Sequence, residues 1–423
     1  MTRRDPQLAS FVSRAARSLV GRLSSLRAHP LFNSLGRAES RVEQAGGHPA
    51  EPNHRPHLDE AIGWLTRAQD ATPDGGLSRG YSLVYNSYFR GQGWQPSYPE
   101  TTGYIIPTLL HASQHLESPQ LADRALRAAR WEIEVQLESG AVQGGVIGEG
   151  RSPAVFNTGQ VMFGWLAAFE SSGASQFADA TIRAGRYLVS VQDRDGHWRK
   201  GNSQFARGDA TLYNARVAWA LAEAGAVLRQ PEFTEAARRN LRAVVKLQYE
   251  NGWFPHCCLT DSRQPLLHTI AYTVRGLLEG GRVLNDPEML AAARLAARQL
   301  MAAVRDDGWM PGRYRQDWSG AVSWSCLTGE AQMANNWLRL HKITGDATWL
   351  EPVPRVLQFL KRTQNRTSRD AGLRGGIKGS APMSGDYGRN EILNWATKYF
   401  ADALMRDEEG SGGLPEEGVF RLA

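Results

Sequence analysis

Cysteine is scarce in this sequence. The 423 residues hold three, Cys257, Cys258 and Cys326; these are too few for a disulfide framework, and the vicinal pair is a poor bridge, so a reducing compartment is expected. No run of 18 apolar residues is present, which excludes a membrane-spanning helix, and the N-terminus lacks the uninterrupted apolar centre of a secretion signal. These absences predict a cytoplasmic protein. No segment alternates apolar and polar residues with strand period over a useful length, so the chain reads as all-α. A GxGxxG pattern, a P-loop and a GxSxG elbow are also missing. Around His256, Cys257 and Cys258 the CxxC or HxxxH spacing that lets ligands converge on zinc is lacking, and no metal or other cofactor is expected.

Charge of one sign is missing from most of the chain. Residues 1–41 carry eight arginines (Arg3, Arg4, Arg14, Arg17, Arg22, Arg27, Arg37, Arg41) against Asp5 and Glu39, and that imbalance equals the +6 of the whole sequence. The remainder is neutral on balance, which argues against nucleic acid as a partner. Within the basic arm, Leu8, Phe11, Val12, Ala15, Leu19, Leu23 and Leu26 form one apolar stripe. An N-terminal amphipathic helix of this kind lies on an anionic membrane surface, binds a membrane-bound partner, or docks on the protein's own body. The first two readings put the protein at the inner membrane face. Residues 42–57 read as a Gly/Pro/His linker and 409–423 as a solvated tail.

What the sequence does have is a repeat. Turn markers recur at spacings of roughly 52 to 69 residues: Asp74-Gly75-Gly76, Gly144-Gly145, Asp195-Gly196-His197-Trp198, Asn251-Gly252-Trp253, Asp307-Gly308-Trp309 and Gly375-Gly376. Gln69, Gln136, Gln192, Gln248 and Gln364 each close a helical stretch ahead of a marker. The segments before the markers (58–69, 118–137, 174–192, 231–248, 286–304, 347–363) are rich in Ala, Leu and Arg and predict an outer ring of helices. The segments after them (101–116, 156–172, 211–224, 267–280, 326–340, 391–405) carry small residues near their starts (Gly103, Gly159, Ala215, Ala271, Gly329) and predict a crowded inner ring. Residues 58–408 therefore predict six helical hairpins closed into one toroidal domain.

Aligned on those small residues, the inner segments present Tyr104, Gln160, Arg216, Tyr272, Glu330 and Trp395 at one position. Such residues either line a hydrophilic ligand pocket at one mouth of the ring or bond one another across it. One turn earlier, or in the preceding loop, stand Glu100, Asn157, Tyr213, His268 and Cys326. Glu100 and Tyr104 are four apart, as are His268 and Tyr272, with Arg275 three further on. A His beside a Tyr and an Arg suits removal of a proton next to a carboxylate: the Arg neutralises the acid group while His and Tyr act as base and acid. The catalytic candidates are His268, Tyr272, Glu330, Glu100 and Tyr213. Arg79, Tyr98, Tyr104, Asn157, Gln160, Asp209, Arg216, His256, Arg275, Trp324 and Asn390 are candidates for binding substrate. Structural alternatives stand beside them: a helix-start carboxylate facing the dipole for Glu100, and a satisfied core histidine for His268. Trp94, Trp309, Trp318 and Trp324, with Tyr81, Tyr85, Tyr88 and Tyr314, either stack on sugar faces or wedge the hairpins apart; for Trp198, Trp253 and Trp309 wedging is favoured. Insertions at 79–97 and 365–389 are placed to cover the pocket.

With its Q…DGxW-like markers, the stretch 55–408 resembles the (α/α)6 toroid superfamily. Tyr98-Pro99-Glu100-Thr101-Thr102 ahead of an inner helix, and the stretch LTGEAQMANNWLRLHKITGD, are similar to pieces of the C-terminal domain of D-glucuronyl C5-epimerases; polysaccharide lyases and six-hairpin glycosidases share the toroid. The resemblance implies an enzyme acting on an acidic, uronate-containing polysaccharide or oligosaccharide, of lyase or epimerase type, as in exopolysaccharide biosynthesis or modification. Arg216 or Arg275 would then stabilise the enediolate and Tyr272 or His268 exchange protons. In a six-hairpin hydrolase, two of Glu100, Asp209 and Glu330 would flank the glycosidic bond. The markers are also similar to those of squalene-hopene cyclases, whose DxDD acid motif is absent here. A non-catalytic ring that binds a glycan or a partner is the remaining alternative.

Overall fold

A computed structural model describes residues 33–202, 211–258, 260–412 and 421–422. The apolar stripe at 8–26 and the candidate Asp209 lie outside the described residues. Six outer helices, α2 (Arg55–Asp70), α4 (Pro119–Val135), α6 (Ser175–Val191), α8 (Pro231–Leu247), α10 (Pro287–Ala302) and α12 (Val353–Thr363), alternate with six inner ones. The inner helices are α3 (Pro99–His115), α5 (Val155–Ser172), α7 (Ala215–Val227), α9 (Leu267–Leu284), α11 (Leu327–Thr344) and α13 (Asn394–Gly412). Proline opens α4, α8 and α10, where its missing N–H is harmless and its fixed φ suits the first turn. Outer helices bury one stripe, as α8 does with Phe233, Ala236, Ala237, Leu241 and Val244. Inner helices are buried nearly all round, as in α5 from Val155 to Ala168. Each inner helix packs on the next, and α13 packs back on α3, so the ring closes.

The glutamines explain the repeat. Each side-chain amide donates both to the glycine carbonyl of its own turn and to a carbonyl on the next outer helix. Gln192 bonds Gly196 O at 3.0 Å and Ala236 O at 2.9 Å, and Gln248 bonds Gly252 O and Ala292 O, both at 3.0 Å. Gln69 and Gln136 repeat the pattern. Gln364 bonds Gly375 O at 2.8 Å and reaches round to His57 O at 3.0 Å, joining the last turn to the first outer helix. The second turn is built on Gly140 (φ +85°), the acceptor of Gln136, and not on Gly144-Gly145, which lies further along the loop. Small residues at the inner starts hold the helices close: a Cβ on Gly103 would stand 2.5 Å from Val161 Cα.

Four features depart from the sequence expectation. A four-stranded sheet, β2 (Gly91–Trp94), β1 (Gly80–Asn86), β6 (Glu391–Leu393) and β4 (Ile377–Lys378), pairs the first insertion with the last. A second pair joins β3 (Ser325–Cys326) to β5 (Ser380–Ala381). Strands this short show no period to read. Helix α1 (Ser34–Gln44) runs across residue 41, where arm and linker were expected to divide, and docks on the ring. The buried Lys378 requires counter-charge and takes it from Glu39 at 2.8 Å and Glu43 at 3.2 Å, both on α1. Finally, α13 continues to Gly412, and beyond it Arg421 pairs with Glu170 at 2.6 Å and Glu223 at 2.9 Å. Arg421 and Leu422 of the expected tail are therefore packed on the ring. No helix among the described residues is long and apolar enough to cross a membrane.

Candidate active site

The inner helices start at one face of the ring, and there the two insertions enclose a cavity of about 460 Å³. Its walls combine Arg79, Asn86, Tyr88, Phe89, Tyr98, Glu100, Tyr104, Glu149, Phe156, Asn157, Tyr213, His268, Tyr272, Tyr387, Arg389, Glu391 and Trp395. The cavity is aromatic on most sides, with polar groups converging from different helices.

Glu100 stands in the first turn of α3, and the Tyr98 hydroxyl donates to its carboxyl. Burial pushes the carboxyl up to about 7, against the pull of the Tyr98 hydrogen bond and of the positive charges on Arg79 and Arg216. Near neutral pH it therefore exchanges a proton readily. His268, on the first turn of α9, lies against the Tyr272 ring at 4.4 Å and the Tyr387 ring at 5.4 Å. Its Nδ1 is 2.9 Å from Gln332 Oε1. Because that oxygen only accepts, Nδ1 carries the proton and Nε2 is left as a base. Burial, aided by the charge of Arg216, lowers its pKa to about 4, so the imidazole is neutral. The phenols of Tyr98, Tyr213 and Tyr272 are all pushed up, primarily by burial, and remain protonated. Asn157 donates to Gln143 O at 3.0 Å, which holds its side chain at the wall.

Glu391 sits opposite in character. Its carboxylate accepts from Asn86 Nδ2 at 2.7 Å, Gln95 Nε2 at 2.7 Å and Arg79 Nη1 at 3.2 Å. The Arg79 guanidinium also lies over Trp395 at 4.9 Å and Phe89 at 5.3 Å. Sequence reasoning missed Glu391, along with Glu149, Asn86, Phe156, Tyr387 and Arg389. Glu391 is brought to Arg79 by the β1–β6 pairing, in which Ser82 faces Glu391 across the sheet. The one available signal was position: Glu391 directly follows the insertion expected to cover the pocket.

Of the sequence candidates, Glu100, His268, Tyr272, Tyr213, Arg79, Tyr98, Tyr104 and Asn157 meet in this cavity. The other described candidates do not line it. Arg216 is buried under the aromatic floor, 5.0 Å from the Tyr272 ring and 5.9 Å from the Tyr104 ring, and donates from Nε to Gln160 Oε1 at 2.7 Å. These two bond each other between neighbouring inner helices. Arg275 lies deeper, paired with Glu279 at 3.3 Å, so neither arginine reaches a ligand in the cavity to stabilise an enediolate. Glu330 accepts from Met310 N at 2.8 Å and from the Ser325 hydroxyl, taking the place that Thr102, Thr158 and Thr397 hold in other repeats, where each accepts from a loop N–H. His256 is exposed at positive φ outside the cavity wall. Trp324 packs against Gly312, and Asn390, also at positive φ, anchors Leu83 N through its carbonyl. Of the tryptophans, Trp94 packs between Trp64 and Tyr81, and Trp318 packs on Trp253 at 5.3 Å, so both wedge elements apart.

No known protein family and no curated protein matches this sequence. Solved structures do. A sugar epimerase from a ruminal bacterium superposes with a TM-score of 0.67 at 14% identity, covering 85% of this chain and 98% of that one. An unsaturated glucuronyl hydrolase specific for heparin gives 0.66 at 16% identity over 84% and 96%. Cellobiose 2-epimerase from Bacillus thermoamylovorans gives 0.63 at 11% identity over 88% and 98%. The fold is an (α/α)6 toroid. This toroid carries its cavity at the mouth where the inner helices begin.

Proposed function

We propose that this toroid is a carbohydrate-active enzyme that works by proton transfer on a uronate-containing oligosaccharide or polysaccharide. The observation that carries the reading is the pairing, in one aromatic cavity, of a carboxyl that holds its proton to about pH 7 with a histidine kept neutral. Acid and base are thus both in working form at neutral pH. The sugar ring stacks among Phe89, Phe156, Tyr272 and Trp395, and its carboxylate meets Arg79 and Arg389. His268 Nε2 removes the proton from the carbon next to that carboxylate. If Glu100 then returns a proton to the same carbon from the other face, the product is an epimer. If Glu100 instead protonates the neighbouring glycosidic oxygen, the C–O bond breaks, a C=C bond forms, and the reaction is elimination. Toroids of similar shape that are named as sugar epimerases and glucuronyl hydrolases support sugar chemistry at this mouth.

A hydrolase is the second reading, favoured by the carboxyl pair Glu100 and Glu391. In that case Glu100 protonates the leaving oxygen and Glu391 assists water. Proton NMR in D₂O with a panel of uronate-containing saccharides distinguishes the outcomes. Olefinic signals mean elimination, exchange at C5 without cleavage means epimerisation, and new reducing ends mean hydrolysis. Glu100→Gln is expected to lower turnover at least about 100-fold while ligand still binds. Binding across the panel with no spectral change in the wild type would refute the enzymatic reading.

A further inference from the structure

At the far ends of the inner helices, roughly 16 Å along α3 from Glu100 at 1.5 Å per residue, a second cluster of reactive side chains joins the first inner helix to the last. His111 and His115 lie four apart on α3, on one face. Glu409 and Glu408 come from the end of α13, 298 residues from His111 and 293 from His115 respectively. One ligand atom from each of His111, His115 and Glu409 can be chosen so that all lie within 4.8 Å of one another. Glu409 Oε1 is shared: His111 Nε2 contacts it and His115 Nδ1 lies 3.4 Å away. His115 also has its second nitrogen, Nε2, 2.8 Å from Glu408 Oε2.

Both nitrogens of His115 therefore face carboxylate oxygens. A neutral imidazole that donates Nε2–H to Glu408 turns its Nδ1 lone pair toward the lone pairs of Glu409. That contact is repulsive unless a metal cation stands between the two atoms or the ring carries a second proton and donates from both nitrogens. We propose that His111, His115 and Glu409 bind a divalent metal ion, zinc by the chemistry of the donors, and that the ion clamps the ring shut at its seam. Tetrahedral zinc with bonds of about 2.0–2.1 Å sets its ligand atoms roughly 3.3 Å apart, close to the His115 to Glu409 separation of 3.4 Å, whereas His111 Nε2 and Glu409 Oε1 stand closer and part to admit the ion. Glu408 completes the arrangement as the carboxylate that accepts from the ligand's other ring nitrogen and so fixes its tautomer. Water supplies the fourth ligand. The His111 side chain is almost fully buried and those of Glu409 and His115 nearly so, which shields the ion from exchange and suits a structural role.

The test uses the full chain, stripped of metal with a chelator and dialysed. Calorimetric titration with Zn²⁺ should give one ion per chain at micromolar affinity or tighter, and the thermal midpoint should rise by several degrees. Co²⁺ in its place should show tetrahedral ligand-field bands. His115→Ala should abolish both, provided circular dichroism shows it folded. Glu408→Gln keeps the ligands and should weaken binding about 10- to 100-fold. The proposal is overturned if the wild type takes up no stoichiometric zinc, in which case a proton alone bridges the pair. Undiminished binding in folded His115→Ala also overturns it. Should that variant not fold, unchanged affinity in Glu408→Gln would have the same force.

Discussion

Glu100 shows a side chain held in a state its local position does not favour. The first turn of a helix stabilises a carboxylate, yet burial in the cavity wall wins and lifts the group to about 7. Between the unfolded value of 4.5 and about 7, the folded chain keeps a proton that the unfolded chain has lost. Stability therefore falls as pH rises through that window, by up to roughly 3 kcal/mol at 1.36 kcal/mol per unit. Glu100→Gln should then raise the denaturation midpoint at pH 8 and leave it nearly unchanged at pH 4.5, while removing activity; equal effects at both pH values would contradict the raised carboxyl. Tyr98 acts on the same proton in the opposite direction, because its hydrogen bond favours the ionised form. Tyr98→Phe is expected to move the alkaline limb of the rate profile to higher pH, which a profile of kcat against pH will show.

At the scale of elements, the repeating glutamine is a staple between a turn and the next outer helix. Gln192 and Gln248 each satisfy two carbonyls, at 2.9 and 3.0 Å in one case and 3.0 and 3.0 Å in the other. Gln192→Leu leaves both acceptors unpaired and should cost about 2–3 kcal/mol in urea unfolding, with activity retained. A loss under 0.5 kcal/mol would mean that water replaces the staple. The staples were legible in the sequence as a recurring Gln ahead of a glycine turn, though their purpose was not. The sheet was illegible, because strands of two to seven residues have too few side chains to show alternation.

For the whole molecule, two buried histidines kept neutral tie stability to pH. Burial pushes His57 and His268 each down to about 4. His57 accepts from Glu51 N at 3.1 Å and meets Gln364 Oε1 at 2.6 Å, next to the staple that joins last turn to first helix. As pH falls from 6.5 toward 4, the unfolded chain gains protons that the folded chain refuses. Stability should drop over that range by up to about 3 kcal/mol per histidine, measurable as a falling urea midpoint; a flat midpoint across the range would contradict the buried neutral state. The sequence alone determined the six helix pairs, the turns that separate them, and the carboxyl and histidine at two inner helix starts, because helical period and turn chemistry are local properties. Only the closed ring decided which polar side chains face the ligand. Tyr104 and Tyr272 enter the cavity, Gln160 and Arg216 bond beneath its floor, and Glu330 turns to a loop, although all five hold the same repeat position. Glu391 reaches Arg79 from 312 residues away through a sheet that joins the first insertion to the last. The rotation of each helix, and the pairing of distant insertions, are set by packing around the whole circle and by no single repeat.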